Sequence, residues 1–228
     1  MSNWSDTLAV FDLETTGIDV ETSRIVSATV AIIDVAGEVL ERVDWLLDPG
    51  IDIPVQATNV HGITTEYAVQ NGRIAADGVS EIVATIREHL ARGLPLVAYN
   101  APYDLTLLNR ESIRHGVAPL DAPSPVVDPL VIDKAVDRYR KGKRTLEVTS
   151  AFYGVTLDDA HDSGADAIAA GRVAQAIARA HVKALPLTVG ELHVLQAQWA
   201  LQQAESFQAY MRRERDPEFI AAGGWPER

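Results

Sequence analysis

The run from Leu8 to Leu13, followed by Glu14-Thr15-Thr16-Gly17, constrains this chain more than any other stretch. It reads as a strand, and side chains alternate along a strand. Leu8, Val10, Asp12 and Glu14 therefore share one face, and Ala9, Phe11 and Leu13 share the other. A strand that is apolar on both faces belongs inside a sheet covered on both sides. Two carboxylates at the end of such a strand are costly unless something compensates them. Spacing alone leaves two readings open. Either the strand runs out into solvent with its acids merely exposed, or the pair is set to hold a divalent cation.

The rest of the chain supplies the context. Arg24 to Asp34 and Val39 to Leu47 read as two further strands, joined by tight turns in an antiparallel meander. Ile51 to Tyr67 reads as irregular, and Val79 to Leu90 as a helix. Leu94 to Tyr99 and Pro125 to Asp128 are short apolar strands, each leading into a helical pattern. Thr145 to Tyr153, Ser163 to His181 and Thr188 to Arg213 complete the predicted helices, and the tail from Asp216 reads as loose. Strands first, then alternating helices and strands, imply a mixed sheet with helices packed on it.

Two more acids are predicted to face that sheet. Asp104 follows Asn100-Ala101-Pro102 at a helix start, on the side of Leu107 and Leu108. An acid at that position also complements the helix dipole, and Asn100 could serve simply as a cap. Asp166 lies about two turns before Val173 and three before Ile177, on the apolar face of its helix. Ser163-x-x-Asp166 also fits a capping box with Ser163 at the cap. Of the six histidines, His161 stands out because it precedes an inward-facing acid by five residues. Four inward acids on three elements repel one another without cations. Hard cations take oxygen ligands, and two of them about 3.5–4 Å apart can stabilise both the attacking and the leaving oxygen of a phosphoryl displacement. A histidine nearby can take the proton from the attacking water.

Asp12-x-Glu14-Thr15-Thr16-Gly17, Asn100-Ala101-Pro102-Tyr103-Asp104 and His161-x-x-x-x-Asp166, in that order, resemble the three motifs of the DEDDh branch of the DnaQ-like 3′–5′ exonucleases. The resemblance covers roughly Leu8 to Ala180, and Val60-His61-Gly62-Ile63-Thr64 is similar to a further family segment. Tyr103 stands where many members have phenylalanine. The resemblance implies an α/β, RNase H-like fold, a mixed five-stranded sheet flanked by helices. It implies that Asp12, Glu14, Asp104 and Asp166 hold two Mg²⁺ or Mn²⁺ ions and that His161 is the general base. Thr15, Thr16, Gly17, His61, Asn100 and Tyr103 would meet the terminal nucleotide. Residues 1–183 would form the exonuclease domain. Residues 184–228 are a C-terminal helix and tail outside the resemblance, which either docks on the domain or binds a partner, docking being favoured because an amphipathic terminal helix usually buries its face locally.

The implied reaction is release of nucleoside 5′-monophosphates from the 3′ end of single-stranded or frayed DNA, in proofreading or repair, with a DNA polymerase as a further partner. The alternatives are a 3′–5′ exoribonuclease on the same scaffold, or a non-catalytic module that holds a nucleic-acid end or a polymerase. The net charge of −12 argues against coating nucleic acid at large. It leaves phosphate contact to a local patch such as the basic run from Lys134 to Arg144, which could equally be a solvated helix end. With no cysteine, a polar start at Met1 to Asp6 and no long apolar run, the expectation is a cytoplasmic protein with no membrane partner.

Overall fold

The computed structural model describes residues 3–157 and 162–228. Three strands form the predicted meander: β1 (Leu8–Thr15), β2 (Ile25–Ile33) and β3 (Val39–Asp48), paired antiparallel. Two short strands, β5 (Leu96–Val97) and β6 (Val126–Val127), extend the sheet in parallel beyond β1. A two-residue strand, β4 (Arg73–Ile74), pairs parallel with the end of β3. The order β4-β3-β2-β1-β5-β6 gives six strands where five were expected. The added strand is an exposed edge too short to leave a periodic signal.

Alternation along β1 divides the core as expected. Ala9, Phe11 and Leu13 pack with α3 (Ala75–Ala91) and α4 (Ala101–Arg114) on one face. Leu8 and Val10 pack on the other with α7 (Ser163–Ala180), below which lie α5 (Pro129–Val136) and α6 (Leu146–Tyr153). Gly171 lets α7 approach closely, because a Cβ there would meet Val10 Cγ1 at 2.5 Å and Ile33 Cδ1 at 2.6 Å.

The segment expected to be irregular instead holds two helices, α1 (Val55–His61) and α2 (Thr65–Asn71). Neither has an apolar stripe: α1 buries no residue and α2 buries only Ala68. Helical periodicity is therefore missing from the sequence.

The last helix, α8 (Val189–Glu214), lies on the open edge of β6 and satisfies backbone groups that an edge strand leaves free. Gln196 is fully buried there. Its amide donates to the Val126 carbonyl (3.0 Å), and its oxygen accepts from the Asp128 N–H (2.6 Å). His193, which reads as a surface histidine in the sequence, accepts from the Val126 N–H through Nδ1 (3.0 Å). The tail is not loose. It folds back on α4, where Asn109 donates to Glu227 (2.6 Å) and the Arg228 N–H donates to Thr106 (2.9 Å). Among the described residues, no helix is long and apolar enough to cross a membrane.

Candidate active site

The carboxylates of Asp12, Glu14 and Asp166 each offer an oxygen within 4.8 Å of the others. Local structure explains why. In β2, Thr29 lies opposite Asp12 and Ser27 opposite Glu14. The hydroxyl of Ser163, the first residue of α7, lies 3.0 Å from that of Thr29 and 3.4 Å from that of Ser27. The helix therefore starts over the very pairs that carry the two strand acids, and Asp166, one turn on, faces them. Ser163 is not the cap. Asp162 caps α7, accepting from the Ala165 N–H (2.9 Å), which frees the Ser163 hydroxyl for the sheet. A register shift between Glu14 and Thr15 re-aims the chain at this point.

Asp104 is buried in the first turn of α4 and lies outside the three-acid group, yet it acts on it. Burial, then Asp104, Glu14 and Asp166, pushes the Asp12 carboxyl well above its ordinary range. Burial, then Asp166 and Asp104, pushes Glu14 up to about 8. Burial pushes Asp104 itself to about 8, although backbone N–H groups of Asp104 and Leu13 hold it down in part. Among the described residues, no lysine or arginine pairs with Asp12, Glu14 or Asp104. Two unit charges about 4.8 Å apart repel by about 3–4 kcal/mol at an effective dielectric of about 20. Burial and like charge push Asp12 and Glu14 toward their neutral forms, and a bound cation would favour the ionised ones. The group's all-carboxylate donors suit a hard, oxygen-seeking divalent ion.

Asn100 is left-handed (φ 66°, ψ 46°) and its side chain does not cap α4. Its backbone is what matters. Buried Asp128 accepts the N–H groups of Asn100 (3.0 Å) and Ala101 (3.1 Å) and also caps α5 through Leu130. Asp128 thus fixes the turn that launches Asp104, a role the sequence reading missed. The Asp-Pro pair at 128–129 signals a cap, but not that the same carboxylate also serves backbone far away in sequence.

Tyr103 is more than a ring. Its hydroxyl donates to the Gly17 carbonyl (2.5 Å) and lies 2.6 Å from the Thr15 hydroxyl, joining the two acid-bearing turns. Thr16 is buried and accepts from the Arg24 N–H (2.9 Å). Both threonine hydroxyls thus have partners within the protein. His61 ends α1, where its Nδ1 accepts from the Ile63 N–H (3.1 Å). It does not line the cavity that holds Asp12 and Asp166. His161 lies outside the described residues.

The basic run also divides. Arg140 and Arg144 turn inward onto fully buried Asp133, Arg144 at 2.6 Å, and the Tyr153 hydroxyl donates to the same carboxylate (2.9 Å). Lys134 and Arg138 keep exposed surface and, among the described residues, form no ion pair, although partial burial pushes the Lys134 ammonium's pKa down against the pull of Asp128 and Asp133.

The exonuclease family model matches residues 9–174. A DNA polymerase III subunit epsilon-like protein of Rhodobacter capsulatus is 34% identical over 158 residues, covering 67% of this chain and 21% of the relative. A PolC-type DNA polymerase III of Lacticaseibacillus paracasei is 28% identical over 180 residues, covering 78% of this chain. The chain spans only 12% of that relative's length. Among solved structures, zinc-bound exonuclease I of E. coli with single-stranded DNA superposes with a TM-score of 0.67 at 18% identity, covering 78% of this chain and 42% of that one. The fold is therefore shared with exonuclease I. The family match takes in β1, α4 and the acid-bearing part of α7, and on that ground the chain belongs to the exonuclease family, in its DnaQ-like group.

Proposed function

We propose that this chain is a metal-dependent 3′–5′ exonuclease acting on single-stranded or frayed DNA and releasing nucleoside 5′-monophosphates. The observation that carries the reading is the three-carboxylate group, which the fold brings together so that each acid offers an oxygen within 4.8 Å of the others. Asp12, Glu14 and Asp166 would hold two Mg²⁺ or Mn²⁺ ions, with Asp104 contributing directly or through water. When bound, such ions supply the positive charge that stabilises the attacking and leaving oxygens of a phosphodiester displacement. The chain's own groups do the rest. The turn Thr15 to Gly17, locked by Tyr103, shapes the bed of the terminal nucleotide. Asn100, its backbone held by Asp128, borders the cavity that holds Asp12 and Asp166. His161 takes the proton of the attacking water, a role that rests on its place in the third motif. His61 remains a candidate substrate contact on motif resemblance alone.

The same reading takes residues 1–183 as the catalytic domain and 184–228 as a helix and tail docked on it, in the cytoplasm. The polymerase III names of the relatives support a replicative polymerase as partner and a proofreading role. The test is to follow an end-labelled oligonucleotide with Mg²⁺ or Mn²⁺, in DNA and RNA form, beside a covalently closed single-stranded circle. Stepwise release of 5′-monophosphates from the free 3′ end is expected, with the circle intact. Cleavage of the circle would show an endonuclease, and no cleavage of any substrate would leave a binding module. His161→Ala should lose about 10²–10⁴-fold in single-turnover rate, with oligonucleotide binding in Ca²⁺ retained. An unchanged rate would place the base elsewhere.

A further inference from the structure

Three neighbouring cavities that share lining residues form a row of clefts leading away from the carboxylates. The cavity bordered by Asp12, Asp166 and Arg144 shares Asn100 and Leu130 with a second one of about 350 Å³, between α5, α8 and the tail. The second shares Lys134, Gln203 and Phe207 with a third of about 580 Å³, between α5 and the outer half of α8. The third cavity is lined by four cationic side chains and, among the described residues, by no carboxylate. That is notable in a chain with 32 acidic and 20 basic residues. Arg140 and Arg144 are held by Asp133, which leaves Lys134 and Arg138 for a ligand. From α8, Phe207 and Tyr210 line the same space one helical turn apart. They are 50% and 46% exposed, far more than a docked face requires. Phe207 meets Phe219 edge-on and Arg213 lies over Tyr210, but both rings keep about half their surface exposed beside cations that form no ion pair among the described residues. That pairing binds single-stranded nucleic acid, bases stacking on the rings and phosphates meeting the cations.

We propose that this cleft is the track for the single-stranded stretch of substrate 5′ to the scissile bond, with phosphates on Lys134 and Arg138 and bases on Phe207 and Tyr210. The proposal rests on the exonuclease reading for its direction, since the lining residues shared with the carboxylate cavity are what place the cleft on one path. It gives α8 a job beyond covering the edge of β6. The inner side of the helix holds the sheet through Gln196, and the outer half holds the strand.

The test compares a substrate that fills the cleft with one that cannot reach it. An oligothymidylate a dozen nucleotides long is set against the p-nitrophenyl ester of thymidine 5′-monophosphate. In Lys134→Ala with Arg138→Ala, the ratio of kcat/KM for the oligomer to that for the ester should fall about tenfold or more. The salt slope of oligomer binding in Ca²⁺, read by fluorescence anisotropy, should drop by about 1.4, the share of two phosphate contacts on a single strand. Phe207→Ala with Tyr210→Ala should weaken oligomer binding about tenfold or more and leave the salt slope unchanged. Oligomer binding and salt slope equal to wild type in both double variants would overturn the track and leave the cleft to another occupant, such as an acidic protein segment. A wild-type protein that binds the oligomer in this manner yet cleaves neither substrate would instead overturn the exonuclease reading and leave the track standing.

Discussion

Two groups of inward-facing acid in this molecule are built in opposite ways. Asp133 is fully buried and surrounded by donors: the guanidiniums of Arg140 and Arg144, and the Tyr153 hydroxyl. Asp12 and Glu14 meet further acids, with Asp166 in the same group and Asp104 behind it. Both arrangements hold carboxylates away from water, which is costly without compensation. At Asp133 the chain supplies the compensation itself, seven and eleven residues downstream. At Asp12 the fold spends Ser163, Thr29 and the start of α7 on bringing acids together. Among the described residues no arginine or lysine pairs with Asp12 or Glu14 as two arginines do with Asp133, and on the proposed reading a bound cation would supply the balancing charge there.

Exchanging single residues between the two behaviours breaks the comparison if it is wrong. The largest effect is expected from Asp12→Ala, which should lower nuclease turnover by at least about 10³-fold, on the scale of losing preorganised electrostatic stabilisation. It should leave the metal-free melting temperature unchanged or higher, because a carboxyl that burial and its acidic neighbours disfavour is gone. Turnover within a few-fold of wild type at saturating Mg²⁺ would remove Asp12 from the site. Asp133→Ala should do the reverse to stability, costing about 3–5 kcal/mol in denaturant unfolding because two arginines lose a buried partner. A loss under about 1 kcal/mol would mean that water already satisfies those guanidiniums. The smallest effect belongs to Tyr153→Phe. It removes one hydrogen bond to a charged group, costs about 1.5–3 kcal/mol, and leaves turnover per folded molecule unchanged. A change in turnover would tie the Asp133 network to catalysis.

Much of this was legible in the sequence where periodicity and spacing carry the information. The two faces of β1 followed from alternation, and the inward direction of Asp166 followed from its helical spacing to Val173 and Ile177, both fully buried. Where no apolar stripe exists, the elements stayed hidden, as with α1, α2 and the two exposed residues of β4. Caps were misread because a side chain near a helix start can serve a distant partner. Asp162 caps α7 while Ser163 bonds the sheet, and Asn100 works through a left-handed backbone held by Asp128. Within the basic run only Arg140 and Arg144 turn inward, a division that composition cannot show. The spacing of Arg140 and Arg144 from Asp133 was the available signal.

The most direct test of the uncompensated site is the melting temperature of metal-free protein across pH, with and without Mg²⁺. Glu14 titrates near 8 in the folded chain against an ordinary value of about 4.5, and burial with its acidic neighbours is the cause. Asp104 is raised to about 8 in the same direction, mainly by burial. Folded protein therefore holds protons more tightly than unfolded protein across that interval. The stability these groups contribute is complete below about pH 4.5 and is lost as pH rises through about 8. The metal-free melting temperature should fall over that window. Mg²⁺ should restore it, most strongly at the alkaline end, where the carboxylates are free to bind the ion. Asp12→Ala should flatten both responses. A metal-free melting temperature that is level or rising across the window, together with no response to Mg²⁺ near pH 8, would contradict the account.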